Sequence, residues 1–121
     1  MTGNRLLIAA ALLASVSTGA AADEIGLGRD IAKKHCARCH IVGDLNKYGG
    51  IDSTPSFGIL KTLDDWRWRF ETFYTRNPHP AFVRVKGLPP PTKLEPYASP
   101  VDITLQDVEH LVAFVVTLET P

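Results

Sequence analysis

The residues of this chain whose types and spacing can do chemistry lie in five consecutive positions, 36–40. Cys36 and Cys39 are separated by two residues, and His40 follows directly. Two thiols at this spacing can add to the two vinyl groups of one porphyrin, and C-x-x-C-H is the attachment motif of c-type haem. The imidazole of His40 is then held under the ring, where it can bind the iron. The motif predicts one covalently bound haem c per chain.

Other uses of the two cysteines fit the sequence less well. A zinc site takes four ligands, and His79 and His110 are much farther apart than the paired histidines of zinc fingers. A thioredoxin-type redox pair requires a βαβ pattern, which the flanking sequence lacks. A disulfide between Cys36 and Cys39 would close a small, strained ring. Haem attachment remains the favoured interpretation.

The chain's one methionine is Met1, so a second iron ligand within residues 23–121 would have to be another donor. His79 lies between two prolines, which hold it in a stiff, extended segment, and imidazole suits iron. Lys93 would have to lose its proton, and Tyr97 would bind as an anion that favours ferric iron. We expect His79 to be the distal ligand, with Lys93, Tyr97 or water as the alternatives. His110 is expected on the polar surface of the last helix.

The first 22 residues have the pattern of a secretory signal peptide. Arg5 provides a short positive region, Leu6 to Val16 is an uncharged apolar run, and Ala20 to Ala22 fits the small-residue cleavage rule. The run covers 11 residues, well below the roughly 20 that span a bilayer. We therefore expect cleavage after Ala22, export to the periplasm if the source is bacterial, and no membrane insertion of residues 23–121.

Length and charge limit the remaining chain to one small domain. Removal of 22 residues from 121 leaves 99, and the loss of Arg5 leaves 12 basic and 13 acidic residues. A domain of this size has a limited apolar core, which a buried porphyrin would enlarge. No basic run indicates nucleic acid or an anionic membrane as a partner. We expect a monomer.

Helical spacing dominates the first two thirds of this domain. A helix is predicted from Glu24 to His35, and glycines and a proline make Ile41 to Ser56 a loop. A second helix is predicted from a cap at Thr62 to Asn77, where Pro78 ends it. Its apolar face is a stripe of large side chains that we interpret as core, namely Leu63, Trp66, Phe70 and Phe73.

The segment before the last helix departs from this pattern. Val83 to Val85 and Val101 to Ile103 alternate as short strands do, and five prolines and a glycine lie between them. We expect a proline-rich loop or a short hairpin there. Thr104 and Asp107 then form a capping box for the last helix. The fold class is therefore all-α, with one insertion before the last helix.

The chain resembles a small class I monohaem cytochrome c. The resemblance rests on the haem motif and on three flanking segments, namely Gly28 to Ala32, Thr54 to Phe57 and Leu111 to Val115. It implies thioether bonds at Cys36 and Cys39, with His40 as the proximal ligand. It also implies that the Pro55 carbonyl accepts the N–H of that histidine and that Phe57 lies at the haem.

The same resemblance bears on helix packing and on the distal ligand. Gly28 and Phe114 match the small and aromatic positions where the first and last helices cross. His79-Pro80-Ala81-Phe82 is similar to the Met-Pro-x-Phe ligand loop of the family, with histidine in place of methionine. The expected function is periplasmic transfer of single electrons between protein partners, without enzymatic activity.

Two other functions fit the same residues. An open distal site, gated by the loop at residues 83–103, would make the protein a haem-based sensor or binder of small ligands. The chain could also be a dedicated subunit of one exported oxidoreductase. Lys33, Lys34 and Arg38 form either a docking patch for an acidic partner or an ordinary solvated helix end.

Overall fold

Two helices from opposite ends of the sequence pack together at the centre of the fold. The computed structural model describes residues 17–121. Helix α1 spans Ser17–Ile31 and continues as a π-helical turn, Ala32–Cys36, whereas helix α4 spans Leu105–Thr117. The pair has the most extensive contact between elements in the described chain. The haem motif begins at the end of this helical unit, so helix packing fixes its position.

Gly28 makes the close approach of α1 and α4 possible. A Cβ atom there would lie 1.9 Å from the carbonyl oxygen of His110 and 2.8 Å from the Cβ of Phe114. The expected packing of Gly28 against Phe114 is confirmed. The surface position expected for His110 is wrong, because this residue lies at the crossing and is half-buried.

The predicted helix Glu24 to His35 is present, and α1 extends it backward to Ser17. The helix passes without a break through the predicted cleavage site between Ala22 and Asp23, and residues 19–22 are exposed. The apolar run of the signal peptide, Leu6 to Val16, lies outside the described residues. Within residues 17–121, no helix has the length and apolar character needed to cross a membrane.

The long helix predicted from Thr62 to Asn77 is wrong, because the chain forms short helical pieces there. Helices α2, Phe57–Lys61, and α3, Trp66–Glu71, are followed by single 3₁₀ turns at Phe73–Thr75 and His79–Ala81. Threonine hydroxyls bond to backbone carbonyls within this segment, and such bonds compete with a regular helix. Thr62 consequently ends α2 instead of starting a helix.

The two predicted strands are confirmed as β1, Val83–Val85, and β2, Val101–Ile103. They pair in parallel, with Val83 opposite Val101 and Val85 opposite Ile103. The hairpin alternative is therefore wrong, since a parallel pair needs a crossover, provided here by residues 86–100. The terminal residues of both strands are buried, whereas the central pair, Arg84 and Asp102, is exposed.

Helix α4 begins at the predicted capping box. The Thr104 hydroxyl accepts the backbone N–H of Asp107 at 3.1 Å, and the Asp107 carboxylate accepts the backbone N–H of Thr104 at 2.7 Å. One face of α4 is buried, through Val108, Leu111, Val112, Phe114 and Val115. This face contributes to a main core with α1 and the aromatic residues, and to a smaller core with the two strands. The fold is a small, mostly helical domain, as predicted.

Candidate haem site

The haem motif forms one tight turn at the end of the first helical unit. Cys36 ends the π-helical segment, and its carbonyl oxygen accepts the backbone N–H groups of Cys39 at 3.0 Å and His40 at 2.9 Å. Burial raises the pKa of the Cys36 thiol to about 12. A thiol that keeps its proton at neutral pH lacks the thiolate character of a redox-active cysteine, which disfavours the thioredoxin-type alternative.

The ring of His40 is oriented by a carbonyl from the loop that follows the motif. Its Nδ1 lies 2.7 Å from the Pro55 oxygen and donates its hydrogen there, which leaves Nε2 with a free lone pair. This is the hydrogen bond expected from the resemblance. Burial lowers the pKa of the imidazole, although the bond to Pro55 opposes the shift. The ring centre of Phe57 lies 5.3 Å away. His40 is therefore a neutral, oriented imidazole, the form that binds a metal.

Asn46 is a positioning residue that the sequence analysis missed. Its side-chain oxygen accepts the N–H of Val42 at 2.8 Å, and its amide nitrogen donates to the carbonyls of Ala37 at 2.9 Å and His40 at 2.8 Å. These bonds join the loop at residues 41–56 to the motif turn. An asparagine in a glycine-rich loop signals such backbone contacts in general, but the sequence does not show which carbonyls it reaches.

The ring of His79, like that of His40, is oriented by a hydrogen bond to a backbone carbonyl. His79 begins the 3₁₀ turn at His79–Ala81, and its Nδ1 donates to the carbonyl oxygen of Arg76 at 3.0 Å. Burial is the main cause of its lowered pKa, with His40 acting in the same direction and the bond to Arg76 opposing it. Aromatic rings of Phe73 and Phe82 lie 5.2 and 5.9 Å from its ring centre.

The ring centres of the two imidazoles are separated by the distance expected for two ligands of one metal ion. The ring centres of His40 and His79 are 6.0 Å apart, and their planes differ by 5°. A bond of about 2 Å from each imidazole nitrogen to a metal, on opposite sides of it, requires ring centres roughly 6 Å apart. Both Nδ1 atoms donate to backbone carbonyls, so Nε2 is the nitrogen of each ring that has the lone pair for a metal. The donor set fits the iron of a haem.

The other distal candidates occupy the proline-rich loop. Lys93 is exposed and lines a cavity of about 310 Å³ together with Pro80 and Ala81. Tyr97 is 71% exposed, and its ring centre lies 6.1 Å from that of Phe82. Neither residue has a buried position comparable to that of His79. The structure therefore brings His79, rather than these two residues, into the group of predicted site residues.

Comparisons with known proteins find a family match over most of the described chain. The family model described as cytochrome c matches residues 25–119. A curated relative, cytochrome c-552 of Bradyrhizobium diazoefficiens, is 35% identical over 68 residues, which cover 56% of this chain and 64% of the relative. No solved structure matches. Members of this family carry covalently bound haem c, in agreement with the spacing of the two cysteines. On the match to residues 25–119, the chain belongs to the cytochrome c family.

Proposed function

We propose that this chain carries single electrons between proteins, with one haem c attached through Cys36 and Cys39. His40 and His79 would hold the iron of that haem. The observation that supports this arrangement is the pair of parallel imidazoles at 6.0 Å, each with its Nδ1 hydrogen engaged by a backbone carbonyl. When bound, the haem supplies a one-electron ferric/ferrous couple. An electron carrier needs the residues that bind the haem and its iron, but no general acid, general base or nucleophile.

The residues around the two imidazoles suit electron transfer in three ways. The carbonyls of Pro55 and Arg76 fix both ring orientations and raise the basicity of both Nε2 atoms. Phe57, Phe73 and Phe82 surround the rings with apolar surface, which limits water at the iron. Two nitrogen ligands saturate the iron, and imidazole in place of a methionine sulfur lowers the reduction potential.

Electron paramagnetic resonance and optical spectra of the purified holoprotein test this proposal. Wild type should be low-spin with two nitrogen ligands, and His79→Ala should become high-spin and bind carbon monoxide when reduced. His79→Met should regain a six-coordinate iron with a higher potential, because thioether sulfur favours ferrous iron. His35→Gln is the matched control, since His35 is a half-buried histidine next to the motif and should leave the spectrum unchanged.

A high-spin wild type that binds carbon monoxide readily would contradict the carrier proposal. It would support instead the sensor or ligand-binding function, with the loop at residues 83–103 over an open distal site. Low-spin spectra that persist in His79→Ala would show that another residue occupies the distal position. Each result therefore assigns the distal face of the iron.

We infer that residues 1–22 are removed on export to the periplasm. Cleavage before Asp23 would leave Asp23 and Glu24 in the first turn of α1, where negative charges stabilise the helix. The residues lost at 19–22 are exposed and precede the crossing at Gly28. Mass spectrometry of the secreted holoprotein should find Asp23 at its N-terminus, and a protein that retains residues 1–22 would contradict the inference.

The proposed partners are redox proteins with an acidic surface near their own cofactor. Lys33, Lys34 and Arg38 are exposed and lie on either side of Cys36 in sequence. Long-range attraction between such charges and an acidic partner weakens as salt rises. The rate of electron transfer to a cognate partner should therefore fall with ionic strength, and replacement of Lys33 and Lys34 by Gln should reduce this dependence.

A further inference from the structure

A cavity lies beside the turn that carries His79, and the proline-rich loop forms most of its walls. Its volume is about 310 Å³, which is room for roughly ten groups the size of a water molecule. Pro80 and Ala81, which follow His79 directly, are among the residues that line it. Cavities that bind small molecules begin at about this size. The cavity can therefore hold a compact ligand next to the His79 turn.

Much of the cavity wall is apolar and restricted in conformation. The apolar side chains from β1 and the loop that line it are Val85, Leu88, Pro90, Pro91 and Leu94. Each proline fixes its own φ and restricts the residue before it, which limits the movement of this part of the loop. Leu88 and Leu94 are exposed, so they offer apolar surface that a ligand would remove from water. A ligand with an apolar body would gain this burial at a low cost in ordering the prolines.

Three charged side chains line the same cavity, and two of them are cations. Arg84, Lys93 and Glu95 are all exposed. The ion pairs found within residues 17–121 lie elsewhere, so neither cation is neutralised by a neighbouring carboxylate. The walls thus combine two positive charges with one negative charge. This balance favours a ligand with an anionic group.

Arg84 lines the cavity although an acidic neighbour is available to it. Its partner across the strand pair is Asp102, and both residues are exposed. Opposite charges on paired strand positions commonly attract one another. Among the described residues, however, no ion pair joins Arg84 to Asp102. The guanidinium group therefore remains available to an anion in the cavity, which it can bind through two parallel N–H groups.

We propose that this cavity binds a small molecule with an apolar body and one anionic group, either a carboxylate or a phosphate. Arg84 and Lys93 bind the anionic group, and the proline and leucine side chains contact the apolar body. This binding goes beyond the proposed electron transfer and uses neither of the candidate iron ligands. Because Pro80 and Ala81 line the cavity, the bound molecule contacts the turn that carries His79.

Isothermal titration calorimetry of the holoprotein with phenylacetate and with phenyl phosphate tests this proposal. At least one of these probes should bind at a single site, and its anionic group identifies the preferred anion. Benzyl alcohol lacks the charge and inorganic phosphate lacks the apolar body, so each should bind at least about tenfold more weakly. Absence of binding by both probes, or equally tight binding of benzyl alcohol or inorganic phosphate, would overturn the proposal.

Charge variants test whether the probe binds in this cavity. Arg84→Gln and Lys93→Gln should each weaken binding by about tenfold, whereas Glu95→Gln should strengthen it by removing the opposing charge. Lys86→Gln is the matched control, because Lys86 is an exposed cation two residues after Arg84 that does not line the cavity. All four side chains are exposed, so these changes should preserve the fold. Unchanged affinity in Arg84→Gln and Lys93→Gln, or an equal loss in Lys86→Gln, would overturn the proposal.

Nitrogen-15 spectra of the holoprotein locate the bound probe independently of the variants. The amide signals of Arg84, Leu88 and Leu94 should shift when the probe is added, whereas those of Lys33 and Lys34 should not. Shifts confined to Lys33 and Lys34 would place the probe at the basic helix end and would overturn the proposal. Failure of the iron-ligand proposal is reported separately, by the spectra of His79→Ala.

Discussion

The two candidate iron ligands are oriented by the same kind of hydrogen bond, but the accepting carbonyls lie at different distances along the sequence. Each imidazole donates its Nδ1 hydrogen to a backbone carbonyl, but the acceptor of His40 is 15 residues away and that of His79 is three residues away. The proximal ring is oriented by tertiary structure, and the distal ring by a local turn. A ligand held by local contacts can leave the iron without global unfolding, whereas His40 is tied to the folded core.

The backbone hydrogen bonds around the two sites show the same difference. On the proximal side, the Ile51 N–H bonds to the Cys39 carbonyl at 2.8 Å, and the Phe57 N–H bonds to the Ile41 carbonyl at 2.9 Å. In the turns that hold His79, the bonds from the Arg76 N–H to the Phe73 carbonyl and from the Phe82 N–H to the His79 carbonyl each span three residues, and the long-range bond from the Val101 N–H to the Phe82 carbonyl follows them. The proximal half should therefore share the stability of the whole domain, and the turns that hold His79 should open at lower free energy.

The largest expected effect is at the helix crossing that supports the proximal half. Gly28→Ala should lower the free energy of unfolding by about 3 kcal/mol, because the added Cβ overlaps the His110 carbonyl. Gly26→Ala is the control, since its Cβ meets nothing within 4 Å and the change should raise stability by up to about 1 kcal/mol. Denaturant unfolding measures both variants. Equal changes in the free energy of unfolding for the two variants would contradict the proposal that the helix crossing requires glycine at position 28.

Asn46 gives the next largest effect, again on the proximal side. Asn46→Ala removes three hydrogen bonds between the loop and the motif turn, and should cost about 2 kcal/mol. Asn77→Ala provides the distal counterpart, because Asn77 is exposed and its loss should change stability by less than about 0.5 kcal/mol. If Asn46→Ala is as mild as Asn77→Ala in denaturant, the proximal loop does not depend on this residue.

As the pH falls, the two ligands should dissociate from the iron at different pH values. Burial lowers the pKa of both imidazoles, so the unfolded chain, with histidine pKa values of about 6.5, binds protons more tightly than the folded chain. Stability is then complete above about pH 6.5 and is lost below it, by up to about 1.4 kcal/mol per pH unit for each proton taken up. His79 should dissociate first, seen as conversion to high-spin iron before helical circular dichroism is lost. Coincident loss of both signals would contradict local release.

The smallest effects are expected at the two alternative distal ligands. Lys93→Leu and Tyr97→Phe should keep the wild-type optical spectrum, because both side chains lie exposed in the proline-rich loop. Tyr97→Phe also retains the ring that packs against Phe82. A high-spin spectrum in either variant would assign the distal bond to that residue.

The features that the sequence predicted well are those encoded by neighbouring residues. The capping box at Thr104 and the alternation of both strands are local patterns of this kind. The packing partner of Gly28 was predicted through the resemblance, which indicated that it contacts the last helix.

Features that depend on long-range contacts were predicted poorly. The apolar spacing after Thr62 is compatible with one helix, but hydroxyl–carbonyl bonds and aromatic packing divide the segment into shorter pieces. Parallel pairing of β1 and β2 depends on the path of the loop between them, which proline content does not specify. The partners of Asn46 and the cavity beside the His79 turn become visible only in three dimensions.

Because β1 and β2 pair, the length of the loop between them need not affect the positions of the two candidate iron ligands. β1 begins two residues after the His79–Ala81 turn, and β2 leads into the Thr104 cap of α4, so the strand pair anchors the chain that follows the His79 turn to α4. Closure entropy changes only slowly with loop length. Residues 88–99 are therefore a site where segments of different length or sequence can be inserted, by evolution or by design, while both ligands keep their positions.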